Sequence, residues 1–202
     1  MSESRLKPDI ILASASPRRE ELLLLLGLRF RVLPSNFDES GVPQWPPEQH
    51  VLESARGKAD DVAARIPDGL VIGADTVVVV DRAILGKPQD AEDARRMLRL
   101  LSGRAHYVYS GLCVIERAGD RTIRSLADSV RTEVRFGELS DEIIDAYVRT
   151  GEPLDKAGAY GIQERGSVLV EGIAGDYFNV VGLPVYRLSR MLAEFGVPIF
   201  GD

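Results

Sequence analysis

The chain has 202 residues, of which 45% are hydrophobic and 28% charged, and its net charge is −6. This composition is typical of a globular protein, and we expect a single domain over residues 1–202. The net negative charge argues against binding of a nucleic acid polymer, which requires a basic surface, although a local basic cluster could still hold a small anion. One cysteine, Cys113, excludes an internal disulfide framework, and with only two histidines a structural zinc site is disfavoured. Because the sequence lacks a membrane-spanning apolar stretch and a signal peptide, we expect a cytoplasmic protein.

Strand-like and helix-like patterns alternate along the chain, which predicts an α/β fold. The expected arrangement is one twisted mixed β-sheet with helices on both faces. The predicted strands lie at 10–13, 30–34, 70–72, 77–80, 106–116 and 122–136, and the predicted helices at 17–27, 46–65, 90–101, 140–150 and 184–195.

The first predicted helix carries two arginines where a helix disfavours cations. Ser16 is predicted as the N-cap and Pro17 as the first helical residue, so Arg18 and Arg19 fall beside the positive end of the helix dipole. Free backbone N–H groups at a helix start form an anion site, and arginine binds phosphate through two hydrogen bonds. The alternative is two solvated surface arginines. If the arginines serve a ligand, we expect that removing Arg19 leaves stability unchanged or slightly improved.

A second feature is an aspartate inside the apolar stretch "VIGADTVVVVD". Aspartate is depleted in strands, and a buried carboxylate needs a partner or a metal. Gly73 indicates either a bulge or a close backbone approach. We expect Asp75 to lie at a kink between two strand halves, where it could act as a general base or bind Mg²⁺. The alternative is an aspartate that caps a turn.

Two lysines and an acidic loop are weaker candidates. Lys87 precedes a proline in "LGKPQD", and Lys58 lies on the second predicted helix. Asp38 and Glu39 lie in the polar loop "SNFDESGVPQWPP" and could hold a divalent cation. The alternative for each of these residues is an ordinary solvated charge.

The segment "TGEPLDKAGAYGIQERG" is rich in glycine and charge. Gly158 and Gly161 would allow the backbone to approach a ligand, and an irregular segment of this length in a compact domain is more often functional than not. No Walker A pattern, dinucleotide fingerprint or nucleophile elbow occurs in the sequence.

Several of these segments together resemble the Maf family of nucleoside triphosphate pyrophosphatases. The matching motifs fall in order along the chain, which makes the resemblance specific. Ser110 is a small departure, because a threonine is expected there. The motifs are "LASASPRREELL", "VIGADTVV", "LGKP", "LSGRAHYVYSG", "GEPLDKAGAYGIQ" and "YFNVVGLPVYRL".

The resemblance implies hydrolysis between the α and β phosphates of a nucleoside triphosphate, with Mg²⁺ or Mn²⁺ as cofactor. It also implies two lobes around a cleft, as in inosine triphosphate pyrophosphatases, and a possible homodimer. Asp75 matches the proton acceptor, and the sequence leaves open whether it is the base or, with Glu39, a metal ligand. The residues implied around the phosphates and metal are Ser16, Arg19, Glu39, Lys58 and Lys87. The residues that match the specificity positions of the dTTP and UTP branch are Arg18, Thr76 and Gln163.

Two other functions compete with this interpretation. One is a pyrophosphatase for modified nucleotides, with dTTP and UTP only convenient substrates. The other is a regulatory protein that acts by interaction in septum formation. A pure interaction role would need neither the cluster of cations nor Asp75, so both features favour an enzyme.

Overall fold

A computed structural model describes residues 8–39 and 45–199. Within these residues the strands form one seven-stranded sheet. The strands are β1 (Ile10–Leu12), β2 (Phe30–Val32), β3 (Asp68–Val80), β4 (Ala83–Leu85), β5 (Ala105–Ala118), β6 (Arg121–Phe136) and β7 (Val170–Ala174). The sheet order is β2-β1-β3-β5-β6-β7, and β4 pairs with β3 off this path. Strand β1 is parallel to β2 and β3, and the remaining pairs are antiparallel, so the predicted mixed sheet is confirmed.

Helices cover both faces of the sheet, as predicted. They are α1 (Pro17–Leu24), α2 (Pro47–Ala63), α3 (Ala91–Leu101), α4 (Asp141–Val148), α5 (Tyr177–Val181) and α6 (Val185–Glu194). Helix α2 packs on one face, where Ala55 and Ala59 contact Val71 and Cys113. The opposite face carries α1 and α6 at one end of the long strands and α3 and α4 at the other.

The opposite face therefore has two separate hydrophobic clusters. Ile72 and Ala74 of β3 belong to the cluster with α1 and α6. Val78 and Val80, further along the same strand, belong to the cluster with α3 and α4. Thr76 lies between the two pairs. The two clusters form the two lobes, and β3 runs through both of them.

Strand β3 is continuous, which contradicts the predicted kink at Asp75. Its pairing with β5 runs without a register shift from Asp68 opposite Ala118 to Val79 opposite Tyr107. Asp75 is an ordinary strand residue because β5 supplies hydrogen bonds along the whole length of β3. Gly73, two residues before Asp75, is a point of close approach of helix α2 and not a bulge.

Other boundaries differ locally from the prediction. Helix α1 ends at Leu24, before Gly27, and the Ser16 side chain does not cap it. Strands β4 and β7 and helix α5 were not predicted, because each has only three to five residues and depends on tertiary contacts. Of the predicted polar loop, residues 40–44 lie outside the described residues. Across the described ranges, no helix is long and apolar enough to cross a membrane.

Candidate active site

A cleft opens where one edge of β3 has no neighbouring strand. Strand β1 ends with Leu12 opposite Ile72, and β4 begins pairing only at Val78, which is opposite Leu85. Within this gap, Asp75, Thr76 and Val77 line a cavity of about 750 Å³. This volume lies within the range of pockets that bind small molecules.

The cleft brings together the predicted site residues from seven separate segments of the chain. Their side chains come from the loop after β1, α1, the loop before α2, α2 itself, β3, the turn after β4 and the glycine-rich segment. The predicted residues that line the cavity are Ser16, Arg18, Arg19, Glu39, Lys58, Asp75, Thr76, Lys87 and Gln163.

An ion cluster of three side chains lies on the α2 side of the cleft. The Lys58 ammonium is 2.8 Å from Asp75 Oδ1 and 2.6 Å from Glu39 Oε1. Asp75 is only 5% exposed, whereas the Glu39 side chain is 55% exposed. A buried carboxylate is tolerated when a cation compensates its charge, and Lys58 supplies that compensation.

Two glycines determine how closely α2 approaches this part of the sheet. A Cβ atom at Gly73 would overlap the backbone oxygen of Ala55, and one at Gly111 would overlap that of Val51. Both glycines therefore allow the helix backbone to contact the strands directly. As a result, the Lys58 side chain reaches the carboxylate of Asp75 on the neighbouring strand.

Arg19 lies on the other side of β3 and is more strongly anchored than the sequence indicated. Its Nε donates to the backbone oxygen of Gly182 at 3.0 Å, and its Nη1 to that of Ala74 at 2.9 Å. Further hydrogen bonds reach Ser14 Oγ at 3.3 Å and Thr76 Oγ1 at 3.2 Å. Arg19 therefore joins α1, β3 and the end of α5, and the alternative of a solvated surface arginine is wrong for this residue.

The electrostatic surroundings of Arg19 act in opposite directions. Burial lowers the pKa of its guanidinium, whereas the negative charges of Asp75 and Glu39 raise it. The neighbouring Arg18 lowers it further. An anion in the cleft would act in the same direction as the two carboxylates and stabilise the charged guanidinium.

Arg18 contacts the opposite wall of the cleft. Its Nη1 lies 3.1 Å from Asp155 Oδ2, in a segment remote in the sequence. Asp155 also accepts a hydrogen bond from Lys156 at 2.9 Å. Partial burial raises the pKa of Asp155, but the hydrogen bonds from Lys156 and Arg18 outweigh it and lower the net pKa. The carboxylate is therefore ionised near neutral pH, and it accepts a hydrogen bond from one nitrogen of the Arg18 guanidinium.

Some polar residues in and behind the cleft were not among the residues predicted from the sequence. Lys156 is 6% exposed and lines the cavity, as does His50 of α2. Ser110 lies behind Thr76, and their hydroxyl oxygens are 2.8 Å apart. The charged character of the glycine-rich segment could have indicated Lys156. No sequence pattern marked His50, which lines the cleft only through the packing of α2, and Ser110 was noted only as a departure within a family motif.

The donor set near Lys58 fits a hard divalent cation. Glu39 and Asp75 direct carboxylate oxygens at the same ammonium group. Among the described residues no group of three or more histidine, cysteine, aspartate or glutamate side chains could hold a metal alone. Mg²⁺ is commonly bound by one or two carboxylates together with substrate phosphates, which agrees with a pair of ligands.

Comparison with known proteins places the chain in a family. Residues 9–195 match the family model for the Maf-like protein. A dTTP/UTP pyrophosphatase of Moorella thermoacetica is 53% identical over 192 residues, covering 95% of this chain and 97% of that relative. Another from Dictyoglomus thermophilum is 47% identical, with 95% and 98% covered. A third, from Methanosarcina barkeri, is 49% identical, with 96% and 98% covered.

The fold also has a solved counterpart. The Ham1 protein of Staphylococcus aureus aligns with a TM-score of 0.52 over 93% of this chain and 99% of that chain. At 14% sequence identity this likeness concerns the fold alone, and it agrees with the α/β architecture that the resemblance implied. Because the family match spans residues 9–195 and close relatives cover nearly the whole length, the chain belongs to the Maf-like protein family.

Proposed function

We propose that this protein hydrolyses dTTP and UTP between the α and β phosphates, releasing a nucleoside monophosphate and pyrophosphate. The observation that carries the proposal is the buried carboxylate of Asp75 in a cleft lined by several cations. A polyanionic substrate matches this charge distribution. The names of the relatives, dTTP/UTP pyrophosphatases, support the choice of substrate.

The phosphate chain binds between the start of α1 and the lysines. Arg19 and Lys87 line the cleft and place positive charge there, and the free backbone N–H groups of the first helical turn add to them. Ser16 contributes a hydroxyl at the same place. The fixed positive charges stabilise the negative charge that spreads over the phosphoryl oxygens in the transition state.

Asp75 is the residue assigned to activate water. Its carboxylate is held by Lys58 on a rigid strand, so it can accept a proton from a water placed in the cleft or orient that water. Lys58 keeps this carboxylate in one orientation. In this role Lys58 is a positioning residue that also adds positive charge next to the phosphates.

Glu39 and Asp75 are the residues that would hold a divalent cation, Mg²⁺ or Mn²⁺. Such an ion neutralises charge on the phosphates and acts as a Lewis acid. Lys58 bridges these same two carboxylates in the structure.

The base is assigned to Arg18, Thr76 and Gln163. The Gln163 side chain is exposed at the cleft and offers one donor and one acceptor, which match the N–H and carbonyl of uracil and thymine. The Thr76 hydroxyl is hydrogen-bonded to Ser110, Gly182 and Arg19. Thr76 therefore shapes the floor of the cleft as well as contacting the base.

The test is pyrophosphate release from a panel of nucleoside triphosphates that includes modified pyrimidines. We expect dTTP and UTP to exceed CTP and the purine triphosphates by at least about tenfold in kcat/KM, which corresponds to roughly 1.4 kcal/mol. Release of orthophosphate instead of pyrophosphate would contradict cleavage between the α and β phosphates. Equal rates for all bases would contradict the specificity alone.

Metal dependence is tested by chelation. Protein treated with excess chelator should lose activity and regain it when Mg²⁺ or Mn²⁺ is added, because the cation screens phosphate charge that the cleft alone compensates incompletely. A Glu39→Gln variant should require a higher concentration of the metal for half-maximal activity. Full activity in excess chelator would overturn the metal assignment.

A further inference from the structure

The wall of the cleft that carries Gln163 contains no α-helix or strand. It consists of short 3₁₀ helices, Glu152–Asp155, Ala157–Ala159 and Arg165–Leu169, with irregular chain between them. Such a segment has few repeated backbone hydrogen bonds, so side chains have to supply the missing partners. Glu152, outside the lining of the cleft, supplies two of them.

Glu152 binds the backbone two and three residues after Gln163. Its Oε2 accepts a hydrogen bond from the backbone N–H of Arg165 at 3.1 Å, and its Oε1 accepts one from that of Gly166 at 3.0 Å. A charged acceptor makes hydrogen bonds roughly twice as strong as a neutral one. One carboxylate thus restrains two successive peptide groups.

Tyr147 of α4 extends this restraint to the residues before Gln163. Its hydroxyl donates to Glu152 Oε1 at 2.8 Å and accepts from the backbone N–H of Gly161 at 3.1 Å. Burial raises the pKa of Tyr147 above its ordinary value, so the hydroxyl stays protonated. A Cβ atom at Gly166 would lie 2.5 Å from this hydroxyl, which shows how tightly the segment packs on it.

Lys156 binds the same segment from the side of the cleft. Its ammonium donates to the backbone oxygen of Glu152 at 2.9 Å and lies 3.5 Å from Glu164 Oε1. Gln163 is therefore flanked by restrained residues on both sides, with Gly161 before it and Glu164 to Gly166 after it. Its exposed side chain projects from a backbone whose position Glu152 and Tyr147 determine.

We infer that Glu152 is a specificity-determining positioning residue for the base. This inference rests on the proposed function, because it acts through Gln163. A glutamine can recognise uracil in one orientation of its amide and cytosine in the flipped orientation. Discrimination then requires that the backbone around Gln163 be held in one place. The Glu152 carboxylate and the Tyr147 hydroxyl hold it there.

The test is the Glu152→Gln variant, assayed for pyrophosphate release from UTP and CTP. The substitution replaces one of the two acceptor oxygens with an NH₂ group, which is a donor. If the NH₂ group takes the place of Oε1, it faces the Tyr147 hydroxyl and the Gly166 N–H. If it takes the place of Oε2, it faces the Arg165 N–H. We expect the ratio of kcat/KM for UTP over CTP to fall at least threefold. The KM for UTP should rise, while kcat for UTP changes by less than about threefold.

Two further variants separate positioning from a general loss of stability. Tyr147→Phe removes only the hydroxyl and should lower the UTP/CTP ratio in the same direction by a smaller factor. Ile115→Val is the matched control, since it trims a buried side chain under α2, outside the lining of the cleft. It should lower the melting temperature and leave the ratio unchanged. Tyr147→Phe carries the test if Glu152→Gln does not fold.

The outcomes distinguish this inference from the function on which it rests. A folded Glu152→Gln protein that keeps the wild-type UTP/CTP ratio overturns the role of Glu152 and leaves the proposed function intact. A wild-type protein that hydrolyses UTP and CTP equally overturns the specificity assignment and the role of Glu152 together. A ratio that falls equally in Ile115→Val also overturns it, because the effect then follows stability.

Discussion

The two walls of the cleft are positioned by different physical means. The wall formed by β3 and α2 carries Asp75 and Lys58, and it is built from regular backbone hydrogen bonds and direct helix-on-strand packing. The wall formed by residues 151–166 carries Gln163 and is held by hydrogen bonds from side chains to the backbone. The proposed chemical step is thus assigned to the more regular wall and base recognition to the less regular one.

Because of this difference, the two walls should respond differently to amino-acid substitutions. On the first wall, a substitution that enlarges a residue meets backbone atoms that cannot move away. On the second wall, a substitution removes one acceptor and leaves the segment free to adopt nearby conformations. We therefore expect changes in the first wall to reduce turnover or stability and changes in the second to reduce discrimination.

The largest effect is expected from Asp75→Asn on the first wall. The amide has nearly the same shape but cannot take a proton from water, so kcat should fall about 10²-fold or more. Asp68→Asn is the matched control, because Asp68 lies exposed on the same strand and outside the cleft. Steady-state kinetics with dTTP and a thermal melt test both variants. Near-normal turnover of a folded Asp75→Asn protein would remove Asp75 from the mechanism.

Arg19→Ala should reduce both activity and stability. The structure reverses the expectation from the sequence, because Arg19 donates to the backbone oxygens of the buried residues Ala74 and Gly182. Leaving such groups unpaired costs about 1–3 kcal/mol in the free energy of unfolding. Arg18→Ala is the control from the same helical turn, and its exposed ion pair with Asp155 contributes at most about 1 kcal/mol.

Denaturant unfolding of these two variants, without ligand, measures the difference. Arg19→Ala should unfold at clearly lower denaturant concentration than Arg18→Ala. If both variants were as stable as the wild type, the hydrogen bonds of Arg19 would not contribute to stability. The expectation from the helix dipole, that removing Arg19 leaves stability unchanged or slightly improved, would then be correct.

Gly73→Ala tests the close approach of α2 to the sheet. The added methyl group would overlap the Ala55 backbone oxygen and displace the helix, with a cost of about 1–3 kcal/mol in the free energy of unfolding. Since Lys58 lies on that helix, turnover should fall as well. Gly137→Ala is the control, because a methyl group there meets no atom within 4 Å. Equal melting temperatures of the two variants would contradict the packing argument.

The smallest effect is expected from Gln163→Glu on the second wall. A carboxylate cannot donate to the base carbonyl, so the preference for UTP over CTP should fall from at least about tenfold toward equality. Turnover of UTP at saturation should change little, since Asp75 and Lys58 are untouched. A kcat/KM ratio equal to that of the wild type would mean that Gln163 does not contact the base.

The regular elements were predictable because their patterns are local. The long helices and strands follow from apolar periodicity, and the hairpin of β5 and β6 from its turn residues. The error at Asp75 has a clear origin. A polar residue and a glycine inside an apolar stretch resemble an interruption, and only pairing with β5 and packing by α2 show that the strand continues. The single domain over residues 1–202, the homodimer and the cytoplasmic location stay predictions.

The sequence by itself determined the family, the α/β class and many of the polar residues that line the cleft, because the motifs are long and carry rare combinations of charge and glycine. Only the tertiary structure decided what each residue contacts. The structural anchoring of Arg19, the pairing of Lys58 with Asp75 and the hydrogen bonds of Glu152 all join residues in different elements. No local pattern encodes such contacts, since they depend on how β3, α2 and residues 151–166 pack together.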